Sequence, residues 1–199
     1  MAAVAAPRDK ILQFAPTPVL VRDVLGREAF NQTLCELILA ARERVPGHQR
    51  SNRGGWQSPS NFLETLPQDV QSSLAELITG CISDVLAPLG VHPQGYKYRI
   101  SGWANVSEQG GFNVPHSHHN GVWSAIYYLA GDKDAGGELH IMDPRPQVTV
   151  IKNAISPWGS ELVYKPEPSS IIVFPAWLVH FVTPYFGQSP RINVAFNVA

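Results

Sequence analysis

The chain has few cysteines, no excess of charge of either sign and no long uninterrupted apolar run. Each shortage excludes something. Cys35 and Cys81 form no Cys-x-x-Cys pair, and both fall in segments with amphipathic helical spacing, so they are expected as reduced core residues. The 15 basic and 16 acidic residues nearly cancel, which leaves no long-range field to favour nucleic acid or an anionic membrane surface. The N-terminal "MAAVAAPRDK" has no basic region followed by an apolar stretch. No apolar run approaches the ~18 residues needed to cross a bilayer, so a cytoplasmic protein without a membrane partner is expected.

What the chain does have is turn-forming residues. With 17 Pro, 16 Gly and 44% hydrophobic residues, its composition suits a β-rich globular fold. Its 199 residues fit a single domain, residues 1–95 supplying an N-terminal strand and helices that support a β-core at 96–199. No internal repeat appears.

The stretch "ILQFAPTPVLVRDV" offers short β-like pieces broken by prolines, as an edge strand would. From Arg27 to about Val45, Phe30, Leu34, Leu37, Ile38 and Ala41 recur at helical spacing, and Pro46-Gly47 stops the pattern. A second helix is expected from about Pro67 to Leu86, with Val70, Leu74, Leu77, Ile78, Cys81, Ile82 and Val85 on one face. The polar loop between them carries Arg50, Arg53 and Trp56 and reads equally as a solvated connector or a substrate-facing lid. From Tyr96 onward, short β-like runs follow one another: "YKYRISGWANV", "FNVPHSH", "VWSAIYYLA", "GELHIMD", "QVTVI", "ELVYK", "SIIVFP", "LVHFVTP" and "RINVAFNV". The fold class that follows is mainly β with α (α+β), a jelly roll or related barrel with two N-terminal helices.

Two features could carry chemistry. In "HSHH", His116 and His118 stand at i and i+2, which on a strand point to the same face and offer two ligand atoms to one metal. His119 would point away. Neutral imidazole suits iron, zinc, copper and nickel alike, so the pair does not name the ion. Farther on, His180 sits in a strand after "SIIVFP", and Arg191 opens the otherwise apolar "RINVAFN". A buried Arg191 calls for a carboxylate, which a guanidinium can bind with two parallel hydrogen bonds.

These pieces together resemble the iron(II)- and 2-oxoglutarate-dependent oxygenases, in particular their prolyl-hydroxylase-like branch. The matching pieces are "HSH", "AIYYL", "GGELHI", "IIVFP", His180 and Arg191, in the family's order across roughly residues 100 to 198. The resemblance implies a double-stranded β-helix with a metal at its open end and Fe(II), 2-oxoglutarate and O2 as cofactors. His116 then matches the first ligand and His180 the distal one. Arg191 matches the cation for the far carboxylate of 2-oxoglutarate, and Tyr128 the hydroxyl that assists it. Trp103 and Asn105 resemble the "WaN" pattern of a bacterial subgroup with an HxH motif and could line the pocket, while Arg50, Arg53 and Trp56 are candidate substrate contacts.

The family expects a carboxylate where this chain has His118. Three solutions stay open: His118 is the third ligand, water fills the position, or a carboxylate such as Asp143 or Glu138 arrives from elsewhere. The expected activity is oxidation, by default hydroxylation, of a small-molecule or amino-acid-like substrate with release of succinate and CO2. A three-histidine cupin-type dioxygenase without 2-oxoglutarate and a non-catalytic jelly-roll binding module are the alternatives. Neither substrate identity nor the formation of a homo-oligomer is legible.

Overall fold

The structure, a computed structural model, describes residues 17–93, 95–145 and 160–199. The expected strand "QVTVI" and residues 11–16 of the first β-like stretch lie outside them. The chain opens with strand β1 (Leu20–Asp23) and helix α1 (Glu28–Arg44), followed by two short strands, β2 (Asn52–Arg53) and β3 (Trp56–Gln57). Helix α2 (Gln68–Leu86) comes next. Strands then run in sequence: β4 (Ile100–Ser107), β5 (Phe112–His116), β6 (Trp123–Ala130) and β7 (Leu139–Met142). The last four are β8 (Glu161–Tyr164), β9 (Ser170–Pro175), β10 (His180–Val182) and β11 (Arg191–Val198).

The strands form two antiparallel sheets, ordered β1-β9-β6-β11-β4-β3 and β2-β5-β10-β7-β8. The expectation of a mainly β chain with helices holds. β1 is an edge strand paired with β9, as Pro16 and Pro18 just before it suggest. The loop expected between the helices is neither a bare connector nor a free lid. It contributes β2 to β5 and β3 to β4, so it joins one edge of each sheet.

Alternation along the strands divides the molecule into two cores. On β11, Ile192, Val194, Phe196 and Val198 pack with Leu34 and Ile38 of α1 and with Leu74, Ile78 and Ile82 of α2. Tyr127 faces this helical side, whereas Tyr128 turns inward to join Leu139, Ile141, Phe174 and Val182 between the sheets. β9 is buried on both faces, Ile171 and Val173 toward the helices and Ile172 and Phe174 toward the interior, hence its continuous apolar run.

One expectation needs correction. The stretch Gln68–Leu89 is long and apolar enough, by length and composition, to cross a bilayer, with a mean hydropathy of 1.2. Its apolar stripe has another use here: Val70, Leu74, Ile78, Cys81, Ile82 and Val85 pack into the helical-side core. Asp69, Glu76 and Asp84 stay on its exposed side, the pattern of an amphipathic core helix.

Candidate functional site

Three histidines converge between the sheets. His116 ends β5 and stands directly opposite His180, the first residue of β10. β5 stops before His118, so same-face alternation along one strand is not what brings it in. Instead the His118 backbone N–H donates to Ala176 O at 2.8 Å, carrying the extended chain past the strand end. The potential ligand atoms of His116, His118 and His180 all lie within 4.8 Å of one another. His119 is exposed at the cavity rim.

Each ring is oriented through its Nδ1. The His116 Nδ1–H donates to Val114 O at 2.8 Å and the His180 Nδ1–H to Leu178 O at 2.9 Å. His118 Nδ1 meets Asn197 Oδ1 at 2.6 Å and the Ser124 hydroxyl at 2.8 Å. Protons held on Nδ1 leave the Nε2 lone pairs free to converge, the tautomer that a metal ligand needs. Burial pushes His180 down to about 3 and His118 down to about 4, and lowers His116, so all three are neutral at pH 7. The Ser51 hydroxyl lies 3.2 Å from His116 Nε2 while accepting from Asn113 Nδ2 at 3.0 Å. Three neutral imidazoles suit a first-row transition ion. Among the described residues no carboxylate joins them. Asp143 is held by Arg145 Nε at 2.9 Å, and Glu138 faces Lys165 at 3.5 Å and His140 at 3.7 Å.

The histidines open into a cavity of about 890 Å³ whose wall also carries Arg191 and Tyr128. Arg191 is only 4% exposed, and it has no ion pair among the described residues. Its Nε and the Tyr128 hydroxyl are both buried without a hydrogen-bond partner. The guanidinium carbon sits 5.8 Å from the Tyr128 ring centroid, near enough for charge attraction but without a well-formed bond to the hydroxyl. Burial lowers Arg191 and raises Tyr128 from their ordinary values. Glycines make room for the arginine: a Cβ at Gly137 (φ +70°) would fall 3.1 Å from its Nε, and one at Gly131 3.2 Å from its Cγ. An unpaired buried cation beside an unpaired hydroxyl is costly in the empty protein, and both would be satisfied by an anionic oxygen ligand.

The remaining candidate residues separate. Trp103 and Asn105 line the cavity, and the Trp103 ring centroid lies 5.3 Å from that of His118. Arg50 reaches the cavity rim from an exposed loop. Two expectations are corrected. Trp56 is buried in the helical-side core with its Nε1–H donated to Val45 O at 2.9 Å, and Arg53 donates to Arg50 O and Asn52 O within its own loop. Neither lies on the cavity wall. Sequence reasoning missed Ser51, Gln57, Asn193 and Asn197, which do. For Asn193 and Asn197 a signal existed: they alternate with apolar residues in "RINVAFN", on the same face as Arg191.

Residues 101–197 match the model of a family described as "Putative 2OG-Fe(II) oxygenase". No curated protein matches the chain in sequence. Among solved structures, a prolyl-4-hydroxylase of Pseudomonas putida is similar at 15% identity and a TM-score of 0.62, covering 92% of this chain and 93% of that one. The viral collagen prolyl hydroxylase of Paramecium bursaria Chlorella virus-1, in its 2OG complex, is 12% identical with a TM-score of 0.59, covering 90% and 94%. HygX of Streptomyces hygroscopicus, with nickel and 2-oxoglutarate bound, is 12% identical with a TM-score of 0.63, covering 92% and 82%. At such identities the likeness establishes the fold, a jelly roll.

Proposed function

We propose that the chain, whose residues 101–197 match the model of a putative 2OG-Fe(II) oxygenase family, is a non-haem iron(II)- and 2-oxoglutarate-dependent dioxygenase acting on a small-molecule or amino-acid-like substrate. His116, His118 and His180 hold the iron. Arg191 and Tyr128 hold the far carboxylate of 2-oxoglutarate, and the two N-terminal helices support the barrel from outside. The observation that carries this reading is the pairing, in one cavity, of three convergent neutral imidazoles with a buried, counter-ion-free guanidinium. Under a three-histidine dioxygenase chemistry that uses no 2-oxoacid, Arg191 and Tyr128 would lack their carboxylate partner.

Bound iron(II) and 2-oxoglutarate supply oxygen activation coupled to decarboxylation of the cosubstrate to succinate and CO2. The chain's own work is positional. The Nδ1–H bonds of His116 and His180 to backbone carbonyls, and of His118 to Asn197, fix three rings before any metal arrives. A histidine in place of a carboxylate leaves the ligand set neutral, so the ion keeps its full charge for an anionic chelator. Arg191, with its stem packed against Gly131 and Gly137, cannot swing to solvent to find water, which reserves it for a carboxylate. Phe174, 4.9 Å from His180 between ring centroids, packs behind that ring in the interior apolar cluster, and Ile126 adds apolar surface to the cavity wall.

The test is turnover of 2-oxoglutarate by the iron(II)-reconstituted protein, with succinate as readout. Succinate formation that needs iron and falls sharply in Arg191→Met supports the assignment. A folded, iron-loaded protein with neither turnover nor 2-oxoglutarate binding would overturn it.

A further inference from the structure

The cavity extends sideways from Arg191 and Tyr128 toward β4 and β3, and strand register describes that side. Gln57 on β3 stands opposite Asn105 on β4, Asn105 opposite Asn193 on β11, and Asn193 opposite Tyr128 on β6. One row of polar side chains thus crosses four strands, and all four line the cavity. The adjacent row, Trp103, Ala195 and Ile126, is largely apolar and lines it too.

The amide row is under-bonded. Asn105 Nδ2 donates to Asn193 Oδ1 at 2.9 Å, and this bond orients both side chains. It leaves Asn105 with an open acceptor, Oδ1, and Asn193 with an open donor, Nδ2. Asn193 is 4% exposed and Gln57 9%, and the Gln57 carboxamide has no side-chain hydrogen bond among the described residues. None of these amide atoms is both fully buried and without a partner. Nearly buried amides with open donors and acceptors on a cavity wall are built to be completed by something that enters it.

Charge narrows what that is. Among the described residues the wall carries Arg191 and Arg50 but no carboxylate and no lysine. An ammonium group would find no counter-charge among them, whereas an amide finds complementary donors and acceptors in one row.

Building on the oxygenase reading, we infer that the β4–β3 side of the cavity is a substrate subsite for an amide-bearing molecule without an ammonium group. Its amide is held by Gln57, Asn105 and Asn193, and its apolar part lies on Trp103 beside His118. The row of amides thereby sets which molecules can lie next to the metal ligands.

The test uses the full chain loaded with Ni(II) and 2-oxoglutarate. The probes are N-acetyl amino-acid methylamides of leucine, glutamine and phenylalanine, against the corresponding amino-acid methyl esters, which carry an ammonium at the α-position. Binding is followed by calorimetry and saturation-transfer NMR. At least one blocked amide is expected to bind ten times more tightly than its ester. Gln57→Leu should weaken that amide about tenfold, the loss of one net hydrogen bond, with 2-oxoglutarate affinity held. Asn105→Asp, nearly isosteric, keeps a bond to Asn193 once that amide turns to donate its Nδ2, and should shift preference toward the ammonium ester, with the fold checked by thermal denaturation. Equal binding of amides and esters, or no shift in Asn105→Asp, would overturn the subsite. If the wild-type protein binds no 2-oxoglutarate, the oxygenase reading falls, while the amide-over-ester comparison without cosubstrate still decides the subsite.

Discussion

The two faces of β11 have different chemistry on one stretch of backbone. Toward the helices it presents Ile192, Val194, Phe196 and Val198, all buried in a continuous apolar cluster. Toward the other sheet it presents Arg191, Asn193, Ala195 and Asn197, all on the cavity wall. The first face is closed: its side chains find every contact they need within the folded chain. The second is open, with a guanidinium that has no counter-ion among the described residues and amides that are only partly bonded. Strand alternation lets one segment support the fold on one side and carry unsatisfied polar groups on the other.

Substitutions on the two faces should therefore fail in different ways. Phe196→Ala, at a site with no solvent exposure, should cost about 3–5 kcal/mol of stability by urea denaturation. Metal affinity measured well below the unfolding midpoint should change little. Arg191→Met should behave oppositely. Removing two charge-assisted bonds of about 1.5–3 kcal/mol each should weaken 2-oxoglutarate binding a hundredfold or more. Losing a buried unpaired charge should leave the ligand-free protein as stable as wild type or more so. A clear loss of stability in Arg191→Met would erase the contrast between the faces.

Asn197 sharpens the comparison, since its inward amide bonds the His118 ring rather than packing into the core. Asn197→Ala should lower metal affinity about 10–100-fold by freeing the His118 ring, as expected for a residue that orients a ligand. Asn197→Asp keeps an acceptor and should recover most of the loss. Unchanged metal affinity in the alanine variant would show that Asn197 does not position His118.

The last comparison is with pH. His180 and His118 are held at about 3 and about 4 in the fold and His116 is also lowered, while unfolded histidines titrate near ~6.5. Between those values the unfolded chain binds more protons. The stability is fully present above ~6.5 and is lost progressively as pH falls toward the folded values. The metal-free protein should show a declining Tm from pH 6.5 to pH 5. A flat profile over that interval would mean that the histidines are not buried as neutral groups.

Much of the site was legible because local chemistry gave it away. A histidine doublet, a distal histidine and a lone arginine opening an apolar strand are visible in the sequence, and the structure gathers them in one cavity. The two helices were legible from their 3.6-residue spacing, ending within a residue of the expected bounds at Arg44 and Leu86. What was illegible depends on register between distant strands. Nothing near Gln57 announces that it will face Asn105, and nothing near Trp56 shows that its ring will turn into the core. His118 is held by the Ala176 carbonyl and Asn197 beyond the end of β5, so the i, i+2 rule reached the right neighbourhood through a different geometry.

The central claim is that the open face of β11 and the three histidines together bind a metal and a 2-oxoacid. Calorimetric titration of 2-oxoglutarate into the Ni(II)-loaded protein, with the metal-free protein and Arg191→Met in parallel, tests it most directly. Saturable one-to-one binding that needs the metal and is lost in Arg191→Met is the predicted result. Undiminished binding in Arg191→Met, or none to the folded, metal-loaded wild type, would contradict it.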